Sequence, residues 1–229
     1  MELISFLFIV FSLVSFGISI GYLGYLTSSL IPELSKREAL YMPKLGIAHF
    51  SLFSIVSLLI FIVAYCQTMT PIEQFILFSF YLLLWLIAFI DLYYRLISLF
   101  HCFLVLIAGL YLVQFELLPL SFSLSQSLLS ITLTLLLMGI FYFICRLILK
   151  REGFGFGDVV LASATATVLT WQVLGYYLFF ACLTALVMFI FSKDKITLRQ
   201  KGLPFAPFLN LSAGLIFNLQ SYLVIVPNI

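Results

Sequence analysis

Charge is what this sequence has least of. Only 20 of its 229 residues are charged, 9% of the chain, against roughly 25% in soluble domains. With 64% hydrophobic residues and a mean hydropathy of +1.25, that scarcity excludes a soluble globular protein. The net charge of +2 is too small to suggest a nucleic-acid partner. Histidine occurs twice, as His49 and His101, with no carboxylate or cysteine at ligand spacing. Both read as residues facing headgroups or a helix interface rather than as metal ligands. Cys66, Cys102, Cys145 and Cys182 are scattered singly in or beside apolar segments. No CxxC exists and His101-Cys102 is not at ligand spacing, so neither a disulfide framework nor a zinc site is supported, and the thiols read as small buried hydrophobes. No basic segment precedes the first apolar run and no small-residue cleavage site follows it. That run therefore reads as an anchor rather than a removable signal peptide.

What is present is apolar sequence, in eight runs: 3–26, 47–66, 74–90, 97–113, 127–145, 158–170, 173–191 and 208–226. The first, as a helix, is about 36 Å long and spans a bilayer. Gly17 and Gly21 within it form a small-xxx-small pair suited to helix packing. The expected fold is all-α: a single polytopic membrane domain over residues 1–229, a bundle of about eight transmembrane helices with short loops. Basic residues concentrate in 27–46, at the break 91–95, in 146–157 and in 193–203, whereas 67–73, 114–126 and the turn near Trp171 carry none. By the positive-inside rule the basic loops are cytoplasmic and both termini lie outside. The same rule puts Asp91 and Asp158 at one membrane surface.

Those two aspartates carry the chemistry. Asp158 ends the run Gly153-Phe154-Gly155-Phe156-Gly157-Asp158, at the junction of a glycine-rich loop and an apolar segment. An ionisable group at membrane depth is a functional-site hypothesis by default. The bland alternative is an Asp N-cap on a helix starting at Asp158. The glycines permit left-handed or extended backbone and close approach of another chain. Asp91 opens the short polar break Asp91-Leu92-Tyr93-Tyr94-Arg95. Two carboxylates brought together cannot both ionise easily, so one keeps a proton while the other acts as a base. Such a dyad activates water and polarises a peptide carbonyl without a metal, a thiol or a nucleophilic serine. Spacing alone leaves open whether the two meet or are unrelated interfacial carboxylates. Arg95, four residues after Asp91, would lie over it on a continuing helix and hold it ionised, or else serve as a positive-inside anchor.

Three segments together carry a resemblance. Gly155-Phe156-Gly157-Asp158 is a GxGD motif. Ile90-Asp91-Leu92-Tyr93-Tyr94-Arg95-Leu96-Ile97 resembles the first-aspartate segment of the type IV prepilin peptidases. Leu203-Pro204-Phe205-Ala206-Pro207-Phe208-Leu209 is similar to that family's segment before its last span. The resemblance implies a bacterial inner-membrane aspartic endopeptidase that cleaves the basic leader from type IV prepilins or pseudopilins at the cytoplasmic face. It makes Asp91 and Asp158 the catalytic pair, Gly155 and Gly157 the flanking motif residues, and Arg95, Pro204 and Pro207 residues that position the motif or the substrate. It implies no cofactor or metal for proteolysis. S-adenosylmethionine enters only if the methyltransferase activity common in these enzymes is retained.

The chain departs from the pattern at three places. Ser98 stands where many members have proline, Val160 where many have lysine, and residues 27–46 lack the CxxC pairs that bind zinc in many relatives. This compact form, with no cysteine in the first loop, resembles the competence-type peptidases of Gram-positive bacteria. Presenilins and signal-peptide peptidases share GxGD, but their Tyr-Asp and Pro-Ala-Leu motifs are missing here. A transporter or non-catalytic assembly component would be expected to carry its charges near mid-bilayer, whereas these aspartates sit at the ends of apolar runs.

Overall fold

The computed structural model describes residues 2–26, 46–65, 70–115, 123–149, 155–192 and 203–223, and all regular structure among them is helical. Among the described residues there are eight α-helices: α1 (Glu2–Tyr25), α2 (Ile47–Tyr65), α3 (Pro71–Tyr94), α4 (Leu99–Gln114), α5 (Leu124–Leu149), α6 (Phe156–Thr165), α7 (Leu174–Phe191) and α8 (Ala206–Leu223). Each coincides with one expected apolar run to within a few residues. Four segments are long and apolar enough to cross a membrane: Ile47–Ala64, Pro71–Tyr94, Leu124–Ile148 and Trp171–Phe191. Leu99–Gln114 and Phe156–Val168 are apolar but shorter, below the about 20 residues that a span needs. The all-α membrane bundle holds, with those two helices shorter than full spans. Residues 27–45, 150–154 and 193–202, which make up much of the loops on which the topology expectation rests, lie outside the described residues.

The described chain forms two compact units, residues 1–89 and 90–229. In the first, aromatic side chains make the packing. Phe53 is fully buried and meets Phe16, Trp85 and Phe89 at ring separations of 6.4, 6.1 and 5.3 Å. The Trp85 indole N–H donates to the Phe53 carbonyl at 3.3 Å, so the ring's one polar atom is satisfied inside the apolar unit. Helix α3 starts with a capping box: the Thr70 N–H donates to Glu73 Oε2 at 2.7 Å and the Glu73 N–H to Thr70 Oγ1 at 3.4 Å, with Pro71 at the first helical position. His49 accepts the Gly46 N–H on Nδ1 at 2.9 Å, a local role at the start of α2.

In the second unit α6 is the central element, packed by α4, α5 and α8. Its sequence explains this position. From Ala162 to Thr167 every side chain is Ala, Ser or Thr, small enough for neighbouring helices to approach closely, and all of these residues are buried. Gly109 of α4 makes the closest approach: a β-carbon there would run into the Thr167 hydroxyl. Beyond Thr165 the α-helix tightens into a 3-10 turn, Ala166–Val168, followed by extended residues Leu169 and Thr170 and a second 3-10 turn, Trp171–Val173. Helix α8 lies along α7, and its Ser212 hydroxyl donates to the Tyr177 carbonyl at 2.6 Å.

The aromatic packing around Phe53 gives a direct test. Phe53→Ala should lower the unfolding free energy of the detergent-solubilised protein by roughly 3–5 kcal/mol. Leu58→Ala, at a 60% exposed position of the same helix, should change it by less than about 0.5 kcal/mol. Thermal or denaturant unfolding followed by Trp fluorescence separates the two.

Candidate active site

The last turn of α3 carries Asp91. The helix runs through to Tyr94, so Asp91 is not in a break between helices, as the polar run 91–95 had implied, but on the helix. The helix ends one residue later. Arg95 takes a left-handed conformation, φ 56°, and its N–H closes on the Asp91 carbonyl at 2.8 Å. That geometry is a left-handed C-terminal cap of the kind glycine usually supplies, and a non-glycine residue there costs about 1–2 kcal/mol. Arg95 therefore does not continue the helix over Asp91, which corrects the helical stacking expected from the four-residue spacing. Its charge still acts electrostatically on the Asp91 carboxylate. Residues 95–98 then lead to Ser98, the extended N-cap of α4.

The Asp91 side chain is buried, 4% exposed, and its partner comes from far along the sequence. The Ala206 N–H donates to Asp91 Oδ2 at 3.1 Å. Ala206 is the first residue of α8, so this donor is one of the N–H groups that a helix start leaves without an internal partner, at the positive end of the helix dipole. Pro204 and Pro207 flank it. Pro207 lies in the first turn of α8, where its missing N–H breaks no helical bond. The sequence reading put weight on the prolines, but the contact to the carboxylate belongs to the backbone between them.

Asp158 lies in the first turn of α6, two residues after its start at Phe156. It is therefore not the N-cap, and the expected helix start at Asp158 moves back to Phe156. Asp158 Oδ2 accepts the Gly155 N–H at 3.2 Å, and the Asp158 N–H donates to the Gly155 carbonyl at 3.1 Å. Gly155 is extended, φ −78° and ψ 142°, so conformational freedom is not its contribution. A β-carbon on Gly155 would stand 3.1 Å from Asp158 Oδ2, and one on Gly157 would stand 2.9 Å from the Ile97 β-carbon. The two motif glycines keep space, one for the carboxylate and one for the linker that follows Asp91. Asp158 is 7% exposed, and its Oδ1 is buried with no hydrogen-bond partner among the described residues.

The structure brings Asp91 and Asp158 together near enough for one carboxylate to act electrostatically on the other. Gly155 touches Asp158 directly and Arg95 acts on Asp91 electrostatically, whereas Gly157 meets Ile97, and Pro204 and Pro207 flank the Ala206 N–H that Asp91 accepts. His101 is buried on α4, edge-on to Phe100 at 5.9 Å. Three contributors escaped the sequence reading. Ala206 offers only backbone, and Ile97 is one apolar residue among many. Cys102 is fully buried within electrostatic reach of Asp158, although singly placed cysteines gave no motif. Among the described residues no group of three or more His, Cys, Asp or Glu is placed to hold a metal ion.

Comparison with known proteins agrees with this geometry. The type IV leader peptidase family matches residues 78–190, a stretch that holds both aspartates and the motif glycines. A prepilin leader peptidase/N-methyltransferase of Haemophilus influenzae is 31% identical over 143 residues, 62% of this chain and 59% of that protein. The chain thus spans less than two thirds of the length of this curated relative. No solved structure matches the chain.

The contact at Gly157 makes a specific prediction. Gly157→Ala should destabilise the protein by about 1–3 kcal/mol, because the new β-carbon meets the root of the Ile97 side chain rather than a movable tip. Ile97→Ala keeps the opposing β-carbon and should not restore stability, whereas Ile97→Gly should restore most of it. Melting temperatures of the two double variants against the Gly157→Ala parent read this out.

Proposed function

We propose that the chain, whose residues 78–190 match the type IV leader peptidase family, is a member of that family and an aspartic endopeptidase of prepilin-type substrates. Asp91 and Asp158 are its catalytic pair. The observation that carries the reading is the burial of both carboxylates together, each with one oxygen held by a backbone N–H and with Oδ1 of Asp158 lacking any such partner.

The division of labour follows from those partners. Asp91 accepts a helix-terminal N–H and lies beside Arg95, contacts that favour the anion, so it serves as the base. Asp158 Oδ1 has no donor to satisfy it, so it carries the shared proton and faces the substrate as an acid. A water between them loses a proton to Asp91 and attacks the scissile carbonyl carbon, while Asp158 gives its proton to the carbonyl oxygen. The tetrahedral intermediate collapses when the C–N bond breaks and the leaving amine takes the proton held on Asp91. The carbonyl re-forms by returning its proton to Asp158, and the pair is ready for another turn.

The substrates are the basic leaders of type IV prepilins or pseudopilins, of the kind used in pili, in competence and in type II secretion. The protein sits in the bacterial inner membrane with the site at its cytoplasmic face, and the bilayer is its other partner. The absence of cysteine from residues 27–46 supports a competence-type enzyme without the zinc-binding loop. Proteolysis takes no cofactor, and S-adenosylmethionine is a co-substrate only if N-methylation of the new terminus is retained. The name of the Haemophilus influenzae relative includes that activity.

Co-expression with a prepilin, followed by gel mobility and N-terminal sequencing of the product, tests the proposal. Asp91→Asn and Asp158→Asn should each lower cleavage by about 10³-fold or more at unchanged membrane levels. Substantial processing by either variant would refute the pair. With the purified enzyme, EDTA should leave the cleavage rate unchanged, and carbodiimide modification of carboxyl groups should abolish it. Loss of activity in EDTA that added zinc restores would instead show a metal-dependent peptidase.

A further inference from the structure

Between Thr165 and Leu174 the backbone is not continuous α-helix, and it lies among apolar helices. Leu169 is extended at φ −114°, ψ 140°, and Thr170 at φ −73°, ψ 149°. Backbone groups at such a break have no helical partner, and in an apolar medium they must find one elsewhere. Part of the answer is local: the Leu169 N–H donates to the Ala166 carbonyl at 3.1 Å. Two further groups are met by one side chain. Gln220 is fully buried on α8. Its Oε1 accepts the Thr170 N–H at 3.3 Å and its Nε2 donates to the Val168 carbonyl at 3.2 Å. A single amide thus satisfies a donor and an acceptor on the two sides of Leu169. The Ser127 hydroxyl of α5 fixes the neighbouring Thr167 carbonyl at 2.8 Å.

Gln220 is also on the helix that holds Asp91. The start of α8 gives its Ala206 N–H to Asp91. Fourteen residues later, about 21 Å along the helix axis, Gln220 grips the far end of the α6 segment whose near end carries Asp158. Ala206, Leu209, Ala213, Ile216, Phe217 and Gln220 share the buried side of α8, so the two polar attachments are joined by a continuous packed face. Helix α8 is a strut with one end on the first carboxylate and the other on the element that bears the second.

We propose that Gln220 is a remote positioning residue for the carboxylate pair: by fixing the axial position of α6 against α8, it sets the separation of Asp158 from Asp91. The proposal rests on the catalytic-pair reading for its effect on rate, and on geometry alone for its effect on separation. A change of about 1 Å in the placement of reacting groups can cost about 10²-fold in rate. Loss of the amide therefore lowers turnover while leaving substrate capture at the other surfaces intact.

The test measures separation and rate independently. In a background with Cys66, Cys102, Cys145 and Cys182 replaced by alanine, Asp91→Cys and Asp158→Cys are combined, and the two thiols are oxidised in membranes with iodine, small and apolar enough to reach buried sites. Disulfide yield should fall several-fold when Gln220→Leu is added. Thr170→Pro provides a second variant. It removes the N–H that Gln220 accepts, and φ −73° at that residue already suits proline. It should lower the yield in the same direction, and by little more when combined with Gln220→Leu, because both remove one interaction. In the native-cysteine enzyme with a synthetic basic-leader prepilin peptide, Gln220→Leu should lower kcat about tenfold or more with KM unchanged. Disulfide yields indifferent to both variants, even with lowered melting temperatures, would reduce Gln220 to a purely structural role and overturn the proposal. If the peptidase reading itself were wrong, the unsubstituted protein would fail to cleave the peptide while its disulfide yields still responded to Gln220.

Discussion

A carboxylate in an apolar helical bundle persists only if the protein replaces the water it has lost. Here the replacement comes from the backbone, at two helix starts. The N–H of Ala206 serves Asp91 and the N–H of Gly155 serves Asp158. Helix starts are suited to this because their first N–H groups have no partner of their own and carry the positive end of the dipole. Much else in the second unit follows. Helix α8 must begin beside Asp91 in the last turn of α3, and prolines flank Ala206 there. Helix α6 must begin beside residues 95–98, so it carries glycine where Ile97 comes close. The chain leaves α3 within a turn of Asp91, and Arg95 does so in a conformation with an energetic cost of its own.

The two oxygens of the Asp158 carboxylate are in different surroundings. Each aspartate spends one oxygen on the fold, and Asp158 keeps the other buried and bare of donors. Buried unpaired polar atoms in membrane proteins are costly and mark functional positions. Asp158 does serve as a capping carboxylate through Oδ2, which accepts the Gly155 N–H, and its other oxygen is left over from that structural role.

The sequence showed a good deal of this, for identifiable physical reasons. Apolar runs interrupted by charge gave eight helices within a few residues, because in lipid both composition and length are tightly constrained. Asp91 and Asp158 stood out because charge is so scarce around them, and the motif resemblance then paired them. Helix ends were less legible. Asp158 looked like a cap and lies inside the first turn. The run 91–95 looked like a loop, but helix α3 continues through Tyr94. Arg95 gave no sign of a left-handed backbone that glycine would have announced. The capping box Thr70-Pro71-Ile72-Glu73 was readable and went unread. What no pattern could show were contacts made by backbone atoms or across long separations, such as Ala206 with Asp91 or Gln220 with Thr170 and Val168. Neither partner's identity encodes them.

The brevity of α6 has a consequence for the surrounding lipid. Ten α-helical residues and a three-residue 3-10 turn extend about 21 Å, and a relaxed hydrocarbon layer is about 30 Å thick. The segment cannot place one end at each headgroup plane of an undeformed bilayer. Either the leaflets dip toward it or one of its ends lies below the polar boundary, sheltered by α4, α5 and α8. Both arrangements make acyl-chain length a physical variable of the protein, because the depth at which Asp158 lies is then set jointly by protein and membrane.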